Sequence, residues 1–211
     1  MNALVNMQNM GPISNVFAGR ADLSDDLSAG VQAGFGIISY RGKVWRIKHR
    51  GEERDLMRDD GDGPRASIEV VIVKAAGVVS KIFYESGFVE GNSAPPDCWS
   101  TNGMTPDPAA PKKQCSTCAG CAKNAWGSRV TEAGKQGKAC ADSKRLAIVP
   151  SSDIDNALFG GPMLLRVPAA SLQDMAAYGK TLAQVGYPVC AVATRIAFDT
   201  KEAFPKLVFS A

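Results

Sequence analysis

"FGIISYRGKVWRIKHRG", residues 35–51, decides the fold class. Runs of β-branched and aromatic residues stand on either side of Arg41-Gly42, the pattern of a β-hairpin. In the second run Trp45 and Ile47 fall on one face, while Arg46, Lys48 and Arg50 share the other, because side chains alternate along a strand. An apolar-in, basic-out strand predicts a sheet with one face buried and one face in water.

Working outward, "IEVVIV" (residues 68–73) reads as a buried strand, and "VVSKIFYES" (78–86) as its partner across a turn at Ala76-Gly77. "KRLAIVP" (144–150), "GPMLLRVP" (161–168), "VCAVATRIAF" (189–198) and "FPKLVFSA" (204–211) add further strands, the third with Val192, Thr194, Ile196 and Phe198 on one face. One helix interrupts them. Ser171 and Asp174 in "SLQD" predict a capping box. Leu172, Met175, Gly179 and Leu182 then form an apolar stripe with a close-packing glycine, and Gly186 ends the helix. Seven or eight short strands and one helix suit a small barrel better than a parallel α/β sheet, and the OB-fold is the obvious member of that class. The domain spans residues 31–211, preceded by an Asn-, Gly- and Ser-rich arm over residues 1–30.

The 211 residues are 45% hydrophobic and 21% charged, the composition of a globular protein. No apolar run approaches the ~20 residues that cross a bilayer, and the N-terminus lacks the pattern of a secretory signal. A cytoplasmic chain with no membrane partner is expected. There, six cysteines point to metal ligation rather than disulfides. Charge is unevenly placed. Residues 112–145 carry eight Lys and Arg against Glu132 and Asp142, a net of +6, while residues 52–62 carry six acids against Arg54 and Arg58, a net of −4. A concentrated basic segment in a nearly neutral chain is built to meet something anionic.

Residues 89–141 lose the strand pattern for Gly, Pro, Asn, Ser and Cys, and a stretch that long needs an organiser. Five cysteines cluster there, and a structural zinc takes four thiolates with a C-x-x-C knuckle supplying two. "CAGC" gives Cys118 and Cys121, its glycine permitting the tight turn, and Cys98 and Cys140 flank it in a zinc-ribbon-like insertion. Cys115 is surplus, or offers an alternative pairing in "CSTC". An iron–sulfur cluster is the alternative, since C-x2-C-x2-C opens a ferredoxin run, although no fourth cysteine follows at Asn124. Cys190 alternates with buried positions and is assigned to the core. His49, the only histidine, is read as a surface strand residue, and no catalytic zinc signature exists. Asp59, Asp60 and Asp62 in "RDDGDG" read as a solvated turn rather than a nuclease centre. A non-enzyme is expected.

At "PPDCWSTNG", "CAGCAKNAWGS", "GKACADSKRLAIVP" and "TRIAFD…FPKLVFS" the chain resembles a group of bacteriophage and prophage single-stranded DNA-binding proteins. More loosely, it resembles the helix-destabilising proteins of T4-like phages. The resemblance covers the chain from about Phe35 onward and implies an OB-type barrel with an inserted cysteine module that protects unpaired DNA in replication or recombination. The T4-type module includes a histidine ligand, and this insertion has none. The residues point the same way, because sequence-tolerant binding of single strands needs phosphate-binding cations among aromatic platforms. The candidate contacts are Tyr40, Lys43, Arg46, Lys48, Lys81, Tyr84, Trp99, Lys123, Trp126, Arg129, Lys138, Lys144 and Arg145. Of the neighbours Phe83 and Tyr84, at most one can face a groove. Trp126 either packs over the knuckle or stacks on a base. Two other functions compete: an iron–sulfur redox protein, and a scaffold that touches replication or recombination proteins without DNA. The oligomeric state stays open.

Overall fold

The first hairpin forms in the computed structural model, which describes residues 34–86, 95–130, 134 and 136–211. The expected N-terminal arm and residues 89–94 of the insertion lie outside the described residues. Strand β1 (Ile37–Arg41) pairs antiparallel with β2 (Val44–His49), Tyr40 opposite Trp45 and Arg41 opposite Val44. The turn sits one residue beyond the predicted place, at Gly42-Lys43, both with positive φ. That left-handed pair matches the twist of a two-residue hairpin. Arg50 and Gly51 repeat the device and lead into β3 (Glu52–Asp55), whose residues are all exposed.

The remaining strands are β4 (Ser67–Ala75), β5 (Ser80–Phe83), β6 (Cys98–Ser100), β7 (Arg129–Val130), β8 (Gln136–Gly137), β9 (Cys140–Pro150), β10 (Met163–Pro168), β11 (Ala193–Phe198) and β12 (Leu207–Ser210). The main path of the large sheet runs β12-β11-β4-β9-β10-β1-β2-β3, with β5 and β6 added beside β9; β7 and β8 form a separate ribbon. β1 and β10 are parallel, and the other pairs are antiparallel. On a flat sheet β2 and β11 would stand five strand spacings apart, roughly 24 Å. Yet the Trp45 and Phe198 rings stack with centroids 4.6 Å apart. The sheet is therefore curled into a half-barrel around a core that includes Ile38, Trp45, Ile47, Val70, Ile148, Leu165 and Ile196. Lys43 clasps the same two regions, donating to the Asp199 and Glu202 carbonyls at 3.1 and 2.7 Å.

The expected hairpin at Ala76-Gly77 does not form. β4 and β5 both pair with β9, β4 along residues 146–150 and β5 along residues 140–143. The chain does not reverse there. It leaves β9 after a bulge between Ile72 and Lys74, keeps one bond from the Ala76 N–H to the Arg145 carbonyl, and rejoins β9 further along. An eleven-residue β9 is long enough to template both pieces, so "IEVVIV" and "SKIF" behave as one interrupted strand.

Helix α1 (Leu172–Gln184) closes on Gly186 as predicted, with Gly186 N–H to the Ala183 carbonyl and Tyr187 N–H to the Leu182 carbonyl, a Schellman motif. Its start differs from expectation. Ser171 caps nothing. Its buried hydroxyl accepts the Leu207 N–H at 2.8 Å, and Asp174 pairs with Lys206 at 2.9 Å, so both residues dock the helix onto the start of β12. Tyr178, absent from the predicted stripe, is buried and meets the Thr194 hydroxyl at 2.8 Å. Gly179 is not a close-packing position, since a Cβ there would meet nothing within 4 Å. Gly179→Ala is therefore expected to stabilise the fold by about 0.5–1 kcal/mol, read as a higher midpoint in urea at unchanged slope. Cys190 is exposed in a 3-10 turn (Val189–Ala191) before β11 begins, which corrects its assignment to the core. The strand starts later than its alternation suggests because Pro188 feeds a turn instead.

Candidate thiol centre and adjoining groove

Two sites adjoin on the patch formed by β6, β5 and β9, with Lys81, Trp99 and Ser100 in the lining of both. Phe83 pairs with Cys98 on one side and Cys140 on the other, and directly opposed residues share a face. Those three side chains make a small buried cluster with Ala139. The next residue along β6 must point the other way. Trp99, opposite Ile82, which is opposite Ala141, belongs to the outer face.

On the inner side Cys98, Cys115, Cys118, Cys121 and Cys140 all line one cavity, with Phe83, Lys81 and Asn124. Its free space is about 10 Å³, that of a single water or bare ion. Cys118 and Cys121 close a turn, the Cys121 N–H reaching the Cys118 carbonyl at 3.4 Å, and a 3-10 turn (Ala122–Asn124) follows. Gly120 is not what permits it. Its φ is not positive, and a Cβ would rest 3.6 Å from the Thr117 hydroxyl, an ordinary contact. Burial, with the Cys121 thiol beside it, pushes the Cys115 thiol up to about 12, and burial pushes Cys140 up to about 11. Five soft thiols around room for one ion fit zinc in their donor chemistry. Among the described residues no three ligating side chains stand together as a formed metal set, so an ion would have to draw the loop thiols inward.

Around the cavity the cations expected on DNA are tied to protein groups. Lys81, only 12% exposed, meets Asp142 at 2.6 Å and the Asn124 side-chain oxygen at 2.8 Å, and Lys138 meets the other Asp142 oxygen at 3.1 Å. Burial opposes ionisation of Asp142, but Lys81 and Lys138 outweigh it and hold the carboxyl below its ordinary range. Lys123 sits over the Phe83 ring at 5.4 Å. Arg129 is exposed in β7, and Trp126 is 72% exposed on the same tip, so it does not pack over the knuckle. Phe83 is buried, leaving Tyr84 the half-buried member of that pair.

The hairpin residues lie elsewhere. Tyr40 was expected to stack on bases, but its ring packs edge-on against Trp45 and Phe198 in the core, and burial raises its phenol well above the usual value. Arg46 pairs with Asp55 at 2.9 Å and Glu53 at 3.6 Å. Lys48 is exposed, directly opposite Glu53. The acidic segment thus neutralises the basic face of β2. Asp59, Asp60 and Asp62 form the expected exposed turn, with Arg65 on Asp59 and Arg58 on Asp60. His49 lies edge-on to Phe159.

An open groove of about 290 Å³ runs over the outer face, lined by Ser80, Ile82, Pro95, Pro96, Trp99, Thr101, Arg145 and Arg166 among others. Arg145 on β9 stands directly opposite Arg166 on β10. Like charges in that position repel, and among the described residues neither has a carboxylate partner. Arg145 donates to the Thr101 carbonyl at 3.2 Å, while its Nε finds no acceptor. Burial lowers the Arg166 pKa, the Tyr84 phenol opposes this, and Arg145 lowers it further. Lys144, one residue from Arg145 and so on the opposite face of β9, is half-buried beside Val167. Sequence reading missed Arg166, because one arginine inside "LLRVP" looks like an ordinary outward strand position. Only the β9–β10 register puts it beside Arg145. The insertion is also narrower than expected, since the sheet claims Cys98–Ser100 and Cys140 as strand residues.

No family model matches the chain, and neither a curated protein nor a solved structure is significantly similar to it. Among the described residues no helix is long and apolar enough to cross a membrane.

Proposed function

We propose that the chain binds single-stranded DNA with little sequence preference, as a non-catalytic protector of unpaired strands in phage-type replication or recombination. The observation that carries this reading is the Arg145–Arg166 pair, two arginines directly opposite each other on neighbouring strands with no carboxylate partner among the described residues, in a groove that Trp99 also lines. Apposed cations await an anion, and an indole beside them offers a platform to any base. Cys98 lines the thiol cavity, and Trp99, the next residue of β6, lines both that cavity and the groove. A zinc ion bound by the thiols would fix β6 and, through it, the indole. In this reading the curled sheet serves as an OB-like barrel and the cysteine segment as its insertion.

Fluorescence anisotropy with a labelled oligonucleotide tests it. The expected result is binding of single strands more than tenfold tighter than of the matched duplex, with log affinity falling about 0.7 per phosphate contact as log salt rises. Equal affinity for duplex and single strand overturns the reading. Metal analysis of untagged protein is expected to find zinc; iron with visible absorbance would favour a redox cluster instead.

A further inference from the structure

We propose that Lys81 and Asn124 are positioning residues of the thiol centre. Asn124 straps the C-x-x-C knuckle to the sheet, and Lys81 anchors that strap and supplies a counter-charge to the sulfurs. This rests on the zinc reading above and adds the side chains that surround its ligands. Strand alternation places them. Lys81 is two residues before Phe83 on β5, so it stands on the face that carries Cys98, Phe83 and Cys140. Its neighbours across the ladders are Ser100 and Asp142, each two residues from one of those cysteines. A polar row therefore lies about 6.8 Å along the strands from the row that holds the two strand thiols.

The knuckle reaches that polar row through one side chain. The Asn124 backbone N–H meets the Cys121 carbonyl at 2.9 Å, and its side-chain amide donates to the Cys118 carbonyl, also at 2.9 Å. One asparagine thus bonds both cysteines of the knuckle. Its side-chain oxygen accepts from the Lys81 ammonium at 2.8 Å, across 43 residues of chain. The orientation of the amide is forced, since an ammonium only donates and a carbonyl only accepts. Lys81 is held in turn by Asp142 at 2.6 Å. An ammonium has three protons, and these two acceptors take two of them. The third is left for the cavity that Lys81 lines. Four thiolates on a divalent zinc leave an excess of negative charge, which is costly in a site shut off from water unless a cation compensates it. Asp142 is shared between Lys81 and Lys138, so the three side chains keep a net positive charge beside the sulfurs.

The test titrates Co²⁺, and then Zn²⁺ in competition, into the full-length chain and into the variants Lys81→Met and Asn124→Ala, with circular dichroism to confirm folding. Both variants are expected to bind either ion about 10–100-fold more weakly than wild type, the range for losing a residue that orients metal ligands. At saturation the sulfur-to-cobalt charge-transfer band should keep its intensity, because neither residue is a ligand. In Lys81→Met the band should move to longer wavelength, since an ammonium beside sulfur stabilises the electrons that the transition removes. A side chain that merely braced the sheet would leave affinity and band in place once the chain has folded. A folded Lys81→Met variant with wild-type affinity and band, or a folded Asn124→Ala variant with wild-type affinity, overturns this inference alone. Should Lys81→Met not fold, Asn124→Ala decides by itself, because it removes the strap and no charge. A wild-type chain that takes up neither ion overturns the zinc reading, and this inference with it.

Discussion

Replacing Arg145 and Arg166 together with alanine should weaken binding to a single-stranded oligonucleotide by at least about a hundredfold, without destabilising the protein. The size follows from losing two charge-assisted contacts, each contributing about 1.5–3 kcal/mol. The salt dependence should change with it, the slope of log affinity against log salt falling by about 1.4 for two lost phosphates at ~0.7 each. Stability should move the other way or stay put. The two arginines stand opposite each other without a carboxylate among the described residues, and burial already disfavours the charge on Arg166. Removing a repelling pair from a folded sheet relieves a cost. A structural pair would show the reverse, with lost stability and unchanged affinity, so thermal unfolding beside anisotropy separates the two roles. Unchanged affinity and unchanged salt slope in the double variant would remove this groove from consideration.

What the sequence made legible was whatever depended on nearest neighbours. The alternation of Trp45 and Ile47 against Arg46 and Lys48 gave the faces of β2 correctly, because a strand's period of two leaves little choice once one side chain is as large as tryptophan. The end of α1 was equally readable, since Gly186 adopts φ +78 at the position a Schellman turn requires. The errors share a different cause. Ser171 and Asp174 fit a local capping pattern, but β12 offered them better partners from far along the chain. Ala76-Gly77 looked like a hairpin turn because two β-rich runs flank it, and nothing local reveals that both runs lie along one long strand, β9. The candidate site divides the same way. Cysteine spacing alone gathered five thiols that do line one cavity, whereas the position of Cys98 and Cys140 on either side of Phe83 is set by the sheet register. Charge counting found the basic segment but not its neutralisation. Lys81 reaches Asp142 across 61 residues of chain, and Arg46 meets Asp55 across a strand pair, contacts that sequence distance conceals. Arg166, with no charged neighbour in sequence, is the one the counting passed over.

Trp45→Ala should cost about 3–5 kcal/mol, the range for deleting a large aromatic from a packed core. Against a total of roughly 5–15 kcal/mol for a domain of ordinary stability, that brings the protein close to unfolding. Trp45 is fully buried, and its ring does more than fill space. It stacks on Phe198 while Tyr40 meets both rings edge-on at 5.6 Å, so one side chain joins regions that are five strands apart along the sheet. Its loss leaves a void where the curl closes, and the two Lys43 hydrogen bonds to the Asp199 and Glu202 carbonyls, contributing about 1.5–3 kcal/mol each at most, remain to hold the two regions. Trp45→Phe separates packing from polarity. The indole N–H is buried without an acceptor among the described residues, a burden of about 1–3 kcal/mol that phenylalanine does not carry. Phenylalanine keeps an aromatic face for Phe198 but leaves part of the volume empty, so the two effects oppose, and a net loss below about 1.5 kcal/mol is expected. Urea unfolding of the two variants checks this: a low midpoint for alanine and a near-wild-type midpoint for phenylalanine, at similar slope. Equal losses in both would mean that the indole's own shape, rather than an aromatic contact across the curl, is what the half-barrel needs.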